Sequence, residues 1–215
     1  MKKLMYLLLC LFTFAGSAQE VSIIPRPAEM QVNKGEFVFN GKVVLCYPKI
    51  KDSGIDAVVD NFVDEMKAAT GIKLKKDRFK NAKLHGFDVI KNNKKGDAHI
   101  VLSVDESLGD EAYRLSVSAK RIDITAAKPA GFFYAFQTLK QLMPRNVMAG
   151  VYTTSFTMAL GHYDCLPMEY PIPCVEIEDE PRFGWRGFML DEGRHFYGKE
   201  EIKKILDVMA AYKMN

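Results

Sequence analysis

The sequence carries almost no excess charge. Its 215 residues hold 30 Lys and Arg against 27 Asp and Glu, too even a balance for the basic footprint that nucleic-acid binding requires. It has no low-complexity run and no internal repeat, which argues against a disordered or repetitive chain. Its apolar run at residues 4–15 is too short to span a membrane. No His-Glu-x-x-His or comparable ligand cluster occurs, so neither a zinc site nor another cofactor is implied. His162, Asp164, Cys165 and Cys174 are ligand-type residues, but their spacing is irregular. What remains is a chain that is 48% hydrophobic, enough for an ordinary core, and long enough for one domain and part of a second.

The first twenty residues, MKKLMYLLLCLFTFAGSAQE, stand apart from that core. Lys2 and Lys3, the apolar stretch and the small residues Gly16, Ser17 and Ala18 make the pattern of a secretory signal peptide cut after Ala18. Leu9 precedes Cys10 where lipoprotein signals usually carry a small residue, so simple export, periplasmic or extracellular, is the preferred reading. Removing residues 1–18 lowers the formal charge from +3 to +1. Cys46, Cys165 and Cys174 remain. Export permits a disulfide and Cys165 to Cys174 is the nearest pairing, but the odd number leaves the pairing open.

From residue 21 to 143 strand-like and helix-like patterns alternate. Phe37-Val38-Phe39 and Val43-Val44-Leu45 flank Asn40-Gly41, a hairpin signal. Ile55, Val58, Val59, Phe62, Val63 and Met66 fall on one helical face, closed by Gly71. Ile72 and Leu74 alternate with lysines as in a half-buried strand. The runs at 99–104, 113–119 and 121–126 read as three more strands, the last two as an antiparallel hairpin about Lys120. A helix over 130–143 has Pro129 near its start and Pro144 as its stop; its Phe132, Phe133, Tyr134 and Phe136 are read as packing against a sheet. Residues 144–181 read as a connection carrying one or two strands. The order predicts an α+β layer, a mostly antiparallel sheet with helices packed on it.

A new unit follows Pro181. Phe188, Met189 and Leu190 form an apolar run typical of a strand buried on both faces. Gly198-Lys199-Glu200-Glu201 then opens a helix whose Ile202, Ile205, Leu206, Met209 and Ala210 make an apolar stripe. One β/α unit cannot bury both of its faces alone, so the segment from about Arg182 is expected to be poorly protected.

RGFMLDEGRHF at 186–196, followed by IKKILDVMAAYKMN, resembles the first strand and helix of the catalytic barrel of glycoside hydrolase family 20, the β-N-acetylhexosaminidases. Upstream, IIPRPAEM, EAYRLSV, IDITA and GFFYAFQTLKQL resemble the small α/β domain that precedes that barrel. After the leader at 1–18, the resemblance implies a domain at 19–180 and the first β/α unit of a truncated TIM (β/α)8 barrel at 181–215. It also implies that Arg194 binds hydroxyls of a terminal N-acetylhexosamine and that Asp191 orients it, so that N-acetylhexosamine-terminated glycans are the partners. Both residues fall at the C-terminal end of the expected strand, where barrel sites are built, and an arginine fork offers paired donors to vicinal hydroxyls. The implied chemistry is substrate-assisted: the 2-acetamido oxygen is the nucleophile, and an Asp-Glu pair on a later strand orients it and protonates the leaving group. That pair would lie beyond Asn215, so the 215 residues alone are expected to be inactive.

Other residues of the motif read as structural. Glu192 is too close to Asp191 for the two carboxyls to flank a scissile bond. Arg186 and Trp185 lie at the start of the strand, away from the site end, and His195 reads as a packed, hydrogen-bonded side chain. Similar first domains precede O-GlcNAc hydrolase and glucuronidase barrels, against which the Asp-x-x-Arg-His-Phe motif argues. An exported, non-catalytic glycan-binding or interaction module is the alternative from another class.

Overall fold

The computed structural model describes residues 21–50, 54–79, 99–145, 147 and 169–215. The leader pattern at 1–20, the strand-like stretch 151–160, the lysines at 91–95 and His162, Asp164 and Cys165 lie outside the described residues. In chain order the elements are β1 (Glu29–Asn40), β2 (Val44–Pro48), α1 (Ile55–Thr70), β3 (Lys75–Phe79), β4 (His99–Val104), β5 (Tyr113–Val117), β6 (Arg121–Ala126), α2 (Pro129–Leu142), β7 (Glu169–Asp179) and α3 (Lys199–Ala211). The strands form one seven-stranded sheet in the order β1-β7-β5-β6-β4-β2-β3.

The expected α+β layer is present, but the sheet is mixed rather than mostly antiparallel. β3, β2, β4 and β6 pair in parallel, while β6, β5, β7 and β1 pair antiparallel. Connection length decides which. A tight turn, with Ser118 and Arg121 exchanging backbone hydrogen bonds, joins β5 to β6 and permits only a hairpin. β2 reaches β3 through the sixteen residues of α1, a crossover long enough to return the chain and run it in the same direction.

The Asn40-Gly41 signal marks a real turn but not a hairpin. Val43 N donates to Asn40 O at 3.1 Å and Lys42 N to Asn40 Oδ1 at 3.0 Å, yet β1 and β2 do not pair. β1 pairs instead with β7, with a register shift between Val32 and Glu36. Such a bulge bends a ribbon, and on its far half Phe37, Phe39, Tyr170 and Ile172 join the core that also holds Leu45 and Ile100. The strand expected around Ile72 and Leu74 starts one residue later. Leu74 is buried just ahead of β3, whose Lys75, Lys76, Asp77 and Arg78 are exposed. A charged edge of this kind discourages pairing with another chain.

α1 and α2 contribute apolar faces to the same core as the central strands. Phe62 of α1 stacks on Phe136 of α2 with centroids 4.0 Å apart, a pairing that adds about 1 kcal/mol beyond its buried area. Lys140 bonds Glu65 at 2.7 Å beside it. α1 ends at Gly71 with φ +72°, whose N–H caps Lys67 O, a left-handed conformation that favours glycine. α2 begins hard against the ends of β5 and β6: a Cβ on Gly131 would stand 2.4 Å from Ala112 O and 2.9 Å from Ala126 Cβ.

Past Asp179 the chain changes character. The strand expected at Phe188, Met189 and Leu190 is not formed; Phe188 is 58% and Met189 83% exposed. A strand of this type needs a neighbour on each edge to supply its hydrogen bonds, and among the described residues none stands beside 188–190. α3 does form where expected, and no residue of it is buried. Its end is a Schellman motif: Met214 N donates to Met209 O at 2.9 Å and Lys213 N to Ala210 O at 3.0 Å. The left-handed residue of that motif is Lys213, with φ +57°, a position where a side chain costs about 1–2 kcal/mol relative to glycine.

The close approach at Gly131 yields a direct test. Gly131→Ala should lower the stability of the domain by about 1–3 kcal/mol, read from the denaturant midpoint, because backbone and not a flexible side chain blocks the methyl. Gly41→Ala, with nothing within 4 Å of the new Cβ, should stay within about 0.5 kcal/mol of the parent.

Candidate functional site

The residues the sequence singles out for sugar binding do come together, on the loop that precedes α3. Asp191 Oδ1 accepts the Gly193 N–H at 2.9 Å, a local turn that bends the chain back. Its other oxygen lies 3.6 Å from Arg194 Nε. The carboxylate therefore orders the loop and faces the guanidinium, as a buttress would. Arg194 is otherwise uncommitted, its side chain 93% exposed. Glu192 accepts the Tyr197 N–H at 2.9 Å, a backbone bond that fits the structural reading of this carboxylate. His195 is exposed rather than packed in a core as expected, and meets Tyr197 edge-on with centroids 4.7 Å apart.

A cleft of about 690 Å³ lies elsewhere. It opens where β7 hands over to residues 180–186 and is lined by Arg26, Glu111, Tyr134, Asp179, Arg186 and Lys213 among others. Five residues separate Arg186 from Asp191, which sets the two places at most about 18 Å apart along the chain. Its charged groups are committed to one another. Arg186 forms a bidentate pair with Glu111, at 2.8 Å to Oε1 and 3.1 Å to Oε2. The remaining guanidinium N–H groups go to Phe183 O, Lys213 O and the Tyr134 hydroxyl, at 2.6, 2.7 and 3.0 Å. All five donors of the fork are thereby used. Lys213 Nζ donates to Asp179 Oδ2 at 2.7 Å and to the Tyr113 hydroxyl at 2.8 Å. Arg186 thus has no donor to spare for a ligand, Lys213 spends two of its three inside the protein, and the cleft is a junction between two parts of the chain.

The structural reading of Arg186 is borne out, and more fully than its position in the motif indicated. Glu111, Asp179, Tyr113 and Lys213 carried no sequence signal of their own, and Tyr134 was read only as packing, not for the hydroxyl that meets Glu111 and Arg186. The one hint is negative: AAYKMN puts a lysine, not a glycine or asparagine, at the left-handed position where the helix stops. The Phe132 to Phe136 segment packs as expected, with Phe132 and Phe136 buried. Cys46 and Cys174 are buried thiols; desolvation, reinforced by Asp77, pushes Cys46 up to about 11, which leaves it protonated and unreactive. Among the described residues no group of three or more His, Cys, Asp or Glu could hold a metal ion.

Residues 20–180 match the model of glycosyl hydrolase family 20, domain 2, and residues 183–215 match that of the glycosyl hydrolase family 20 catalytic domain. A β-hexosaminidase of Porphyromonas gingivalis is 31% identical over 91% of this chain and 22% of its own length. The structure of a family 20 β-N-acetylhexosaminidase from Streptomyces coelicolor superposes with a TM-score of 0.67 at 30% identity, covering 90% of this chain and 33% of that one. A Streptomyces plicatus β-hexosaminidase, seen in complex with the product GlcNAc, gives a TM-score of 0.65 at 29% identity, again with 90% and 33% covered. The chain spans between a fifth and a third of the length of these relatives.

The junction has a pH signature. The Arg186 guanidinium beside Glu111, helped by the Tyr134 hydroxyl, holds that carboxyl below its ordinary value of about 4.5. A carboxyl with a lowered folded pKa contributes stability that is complete above the ordinary value and lost as pH falls through the folded one. The melting temperature should therefore fall more steeply on acidification in the parent than in Glu111→Gln. Parallel acid slopes for the two proteins, followed by circular dichroism, would show that the pair contributes nothing.

Proposed function

Because the chain belongs to glycoside hydrolase family 20, the β-hexosaminidases, we propose that its last segment supplies one wall of a pocket for a terminal β-linked N-acetylhexosamine. The observation that carries this reading is the Asp191–Arg194 pair. A guanidinium 93% exposed, with a single carboxylate 3.6 Å away and no other partner among the described residues, is placed to donate to ligand oxygens rather than to hold the fold together. Arginine forks engage vicinal hydroxyls through two parallel donors, and Asp191 limits the orientations the fork can take. The GlcNAc complex of the Streptomyces plicatus relative supports the sugar class.

In this reading hydrolysis proceeds with retention. The 2-acetamido carbonyl oxygen of the substrate attacks its own anomeric carbon as the glycosidic oxygen leaves with a proton, and water then opens the cyclic intermediate. Arg194 takes no part in these bond changes; it fixes the ring so that the acetamide and the anomeric carbon meet, and orientation of this kind is a large part of a glycosidase barrier. The proton donor and the acetamide-orienting carboxylate belong to an Asp-Glu pair that the family carries on a later barrel strand. The 215 residues by themselves are therefore expected to bind and orient poorly and to catalyse nothing. The leader pattern at residues 1–18 supports export to the periplasm or beyond, where glycans are met.

A chromogenic N-acetylglucosaminide separates the parts of this proposal. The purified 215-residue chain should release no more chromophore than its denatured control; turnover above that control would sink the reading that the acid/base pair lies elsewhere. In a protein that continues through the catalytic barrel, Arg194→Ala should lower kcat/KM by roughly a hundredfold, about 3 kcal/mol of charge-assisted hydrogen bonding. Unchanged kcat/KM would remove Arg194 from the pocket.

A further inference from the structure

The N-terminal domain grips the first β/α unit of the catalytic domain at both of its ends. At the leading end, Glu111 receives Arg186 in a bidentate pair. At the trailing end, just past α3, Asp179 and Tyr113 receive the ammonium of Lys213. The two grips are joined, because Arg186 Nε also donates to the backbone oxygen of Lys213 at 2.7 Å.

Between them the chain meets itself. Arg186 N donates to Asn215 Oδ1 at 2.9 Å, and Asn215 N donates to Arg186 O at 3.1 Å. The Asn215 amide also reaches Gly184 O at 2.9 Å and Glu111 Oε1 at 3.4 Å. A backbone bond from the residue leaving a helix to the residue that opened the preceding apolar segment is the first rung of a parallel pairing. A slip by one residue at this rung would turn every later side chain to the wrong face.

We infer that Glu111 and Asp179 form a register clamp, through which the N-terminal domain fixes Asn215 opposite Arg186 and so sets the pairing of the first barrel strand with the chain leaving α3. Arg186 and Lys213 are its positioning residues. The backbone of Lys213 carries the argument furthest. It occupies the left-handed position of a Schellman motif, φ +57°, where glycine ends a helix without strain. A lysine that merely ended the helix would leave its ammonium in water. Here the side chain is 6% exposed, with its charge placed on Asp179, itself 12% exposed. A buried ammonium is tolerated only with close partners in good geometry, so the helix end cannot shift by more than a hydrogen bond allows. One grip alone would permit rotation about it; a second grip on the neighbouring chain end, joined to the first through Lys213 O, restricts that rotation.

The clamp is tested on the 215-residue chain by residue-resolved hydrogen exchange, without reference to sugar binding. The amides of Arg186, Lys213 and Asn215 should exchange slowly, in contrast with those at 188–190. Lys213→Gly relieves the backbone strain and removes the ammonium, so the two readings differ in sign. The clamp predicts at least tenfold faster exchange at Arg186 and Asn215 with the amides of β4 and β6 unchanged. A lysine that only stops the helix predicts equal or slower exchange, and that result would overturn the proposal. Since the glycine variant leaves Asp179 unpaired, the same change is made in an Asp179→Asn background, where the grip is already broken and the double variant should exchange no faster than Lys213→Gly alone. Arg186→Lys, approached from the other end, should accelerate the same amides, and its effect should combine with Lys213→Gly less than additively. Acceleration spread equally over β4, β6 and residues 186 and 215 in every variant would mean that no separate clamp exists.

Discussion

The carboxylate of Asp179 is the point to which four distant parts of the chain are tied. Oδ1 accepts the Ala28 N–H at 3.2 Å, from the lead-in to β1. Oδ2 accepts the Tyr113 hydroxyl of β5 at 2.8 Å and the Lys213 ammonium at 2.7 Å. Through Tyr113 the set extends to Thr138 of α2, 2.6 Å from the phenol oxygen. Proton counting gives the network a direction. Tyr113 has one hydroxyl hydrogen and gives it to Asp179, so Lys213 and Thr138 must both donate to the phenol oxygen. Burial pulls the Lys213 ammonium below its usual pKa while Asp179 opposes the shift, and burial together with the same carboxylate pushes the Tyr113 phenol far up. The arrangement is stable as a set and intolerant of partial loss: removing one member of a buried ion pair typically costs about 3–5 kcal/mol, most of it the stranding of the other charge.

Strand direction explains why this carboxylate and Glu111 stand together at all. β7 comes last in the domain but is inserted between β1 and β5, and it runs antiparallel to β5 so that Tyr113 faces Asp179. The end of β7, where the chain leaves the domain, is thereby the beginning of β5, where Glu111 and Tyr113 lie. A parallel β7 would have brought Val117 to the exit and left the two acids at opposite edges. α2 completes the corner, because Gly131 lets its first turn press against Ala112 and so carries Tyr134 to within 3.0 Å of Glu111.

Legibility of the sequence followed the range of the interactions. α1, β4, the β5–β6 hairpin and α2 are specified by periodicity and turn chemistry within a dozen or so residues, and the structure has them where the pattern puts them. β1 was misassigned a partner because alternation shows that a strand exists but not what it pairs with, and Asn40-Gly41 turns the chain toward β2 without pairing to it. The buried run at 188–190 signals a strand that its surroundings do not complete. The proximity of Asp191 and Arg194 was legible because the motif is contiguous. The junction was not, since Glu111, Asp179 and Lys213 each look like an ordinary surface charge until the fold brings residues 34 and 75 positions apart into contact.

The two ends of the first β/α unit are thus built to different standards, and the difference has a physical logic. At the base, Arg186 spends every donor inside the protein and its orientation is fixed by five acceptors. At the tip, Arg194 has one acceptor at 3.6 Å and the rest of its donors in solvent. A guanidinium meant for a ligand must keep donors unsatisfied in its absence, because each internal bond would have to be broken on binding. Such a group gains affinity only if its backbone is already in place, since ordering both loop and side chain at the moment of binding would consume the gain. On the proposed reading of Arg194, rigidity therefore has to enter the unit from the opposite end. The paired acids of the N-terminal domain supply it at Arg186, the base of a segment whose residues 188–190 form no strand among the described residues.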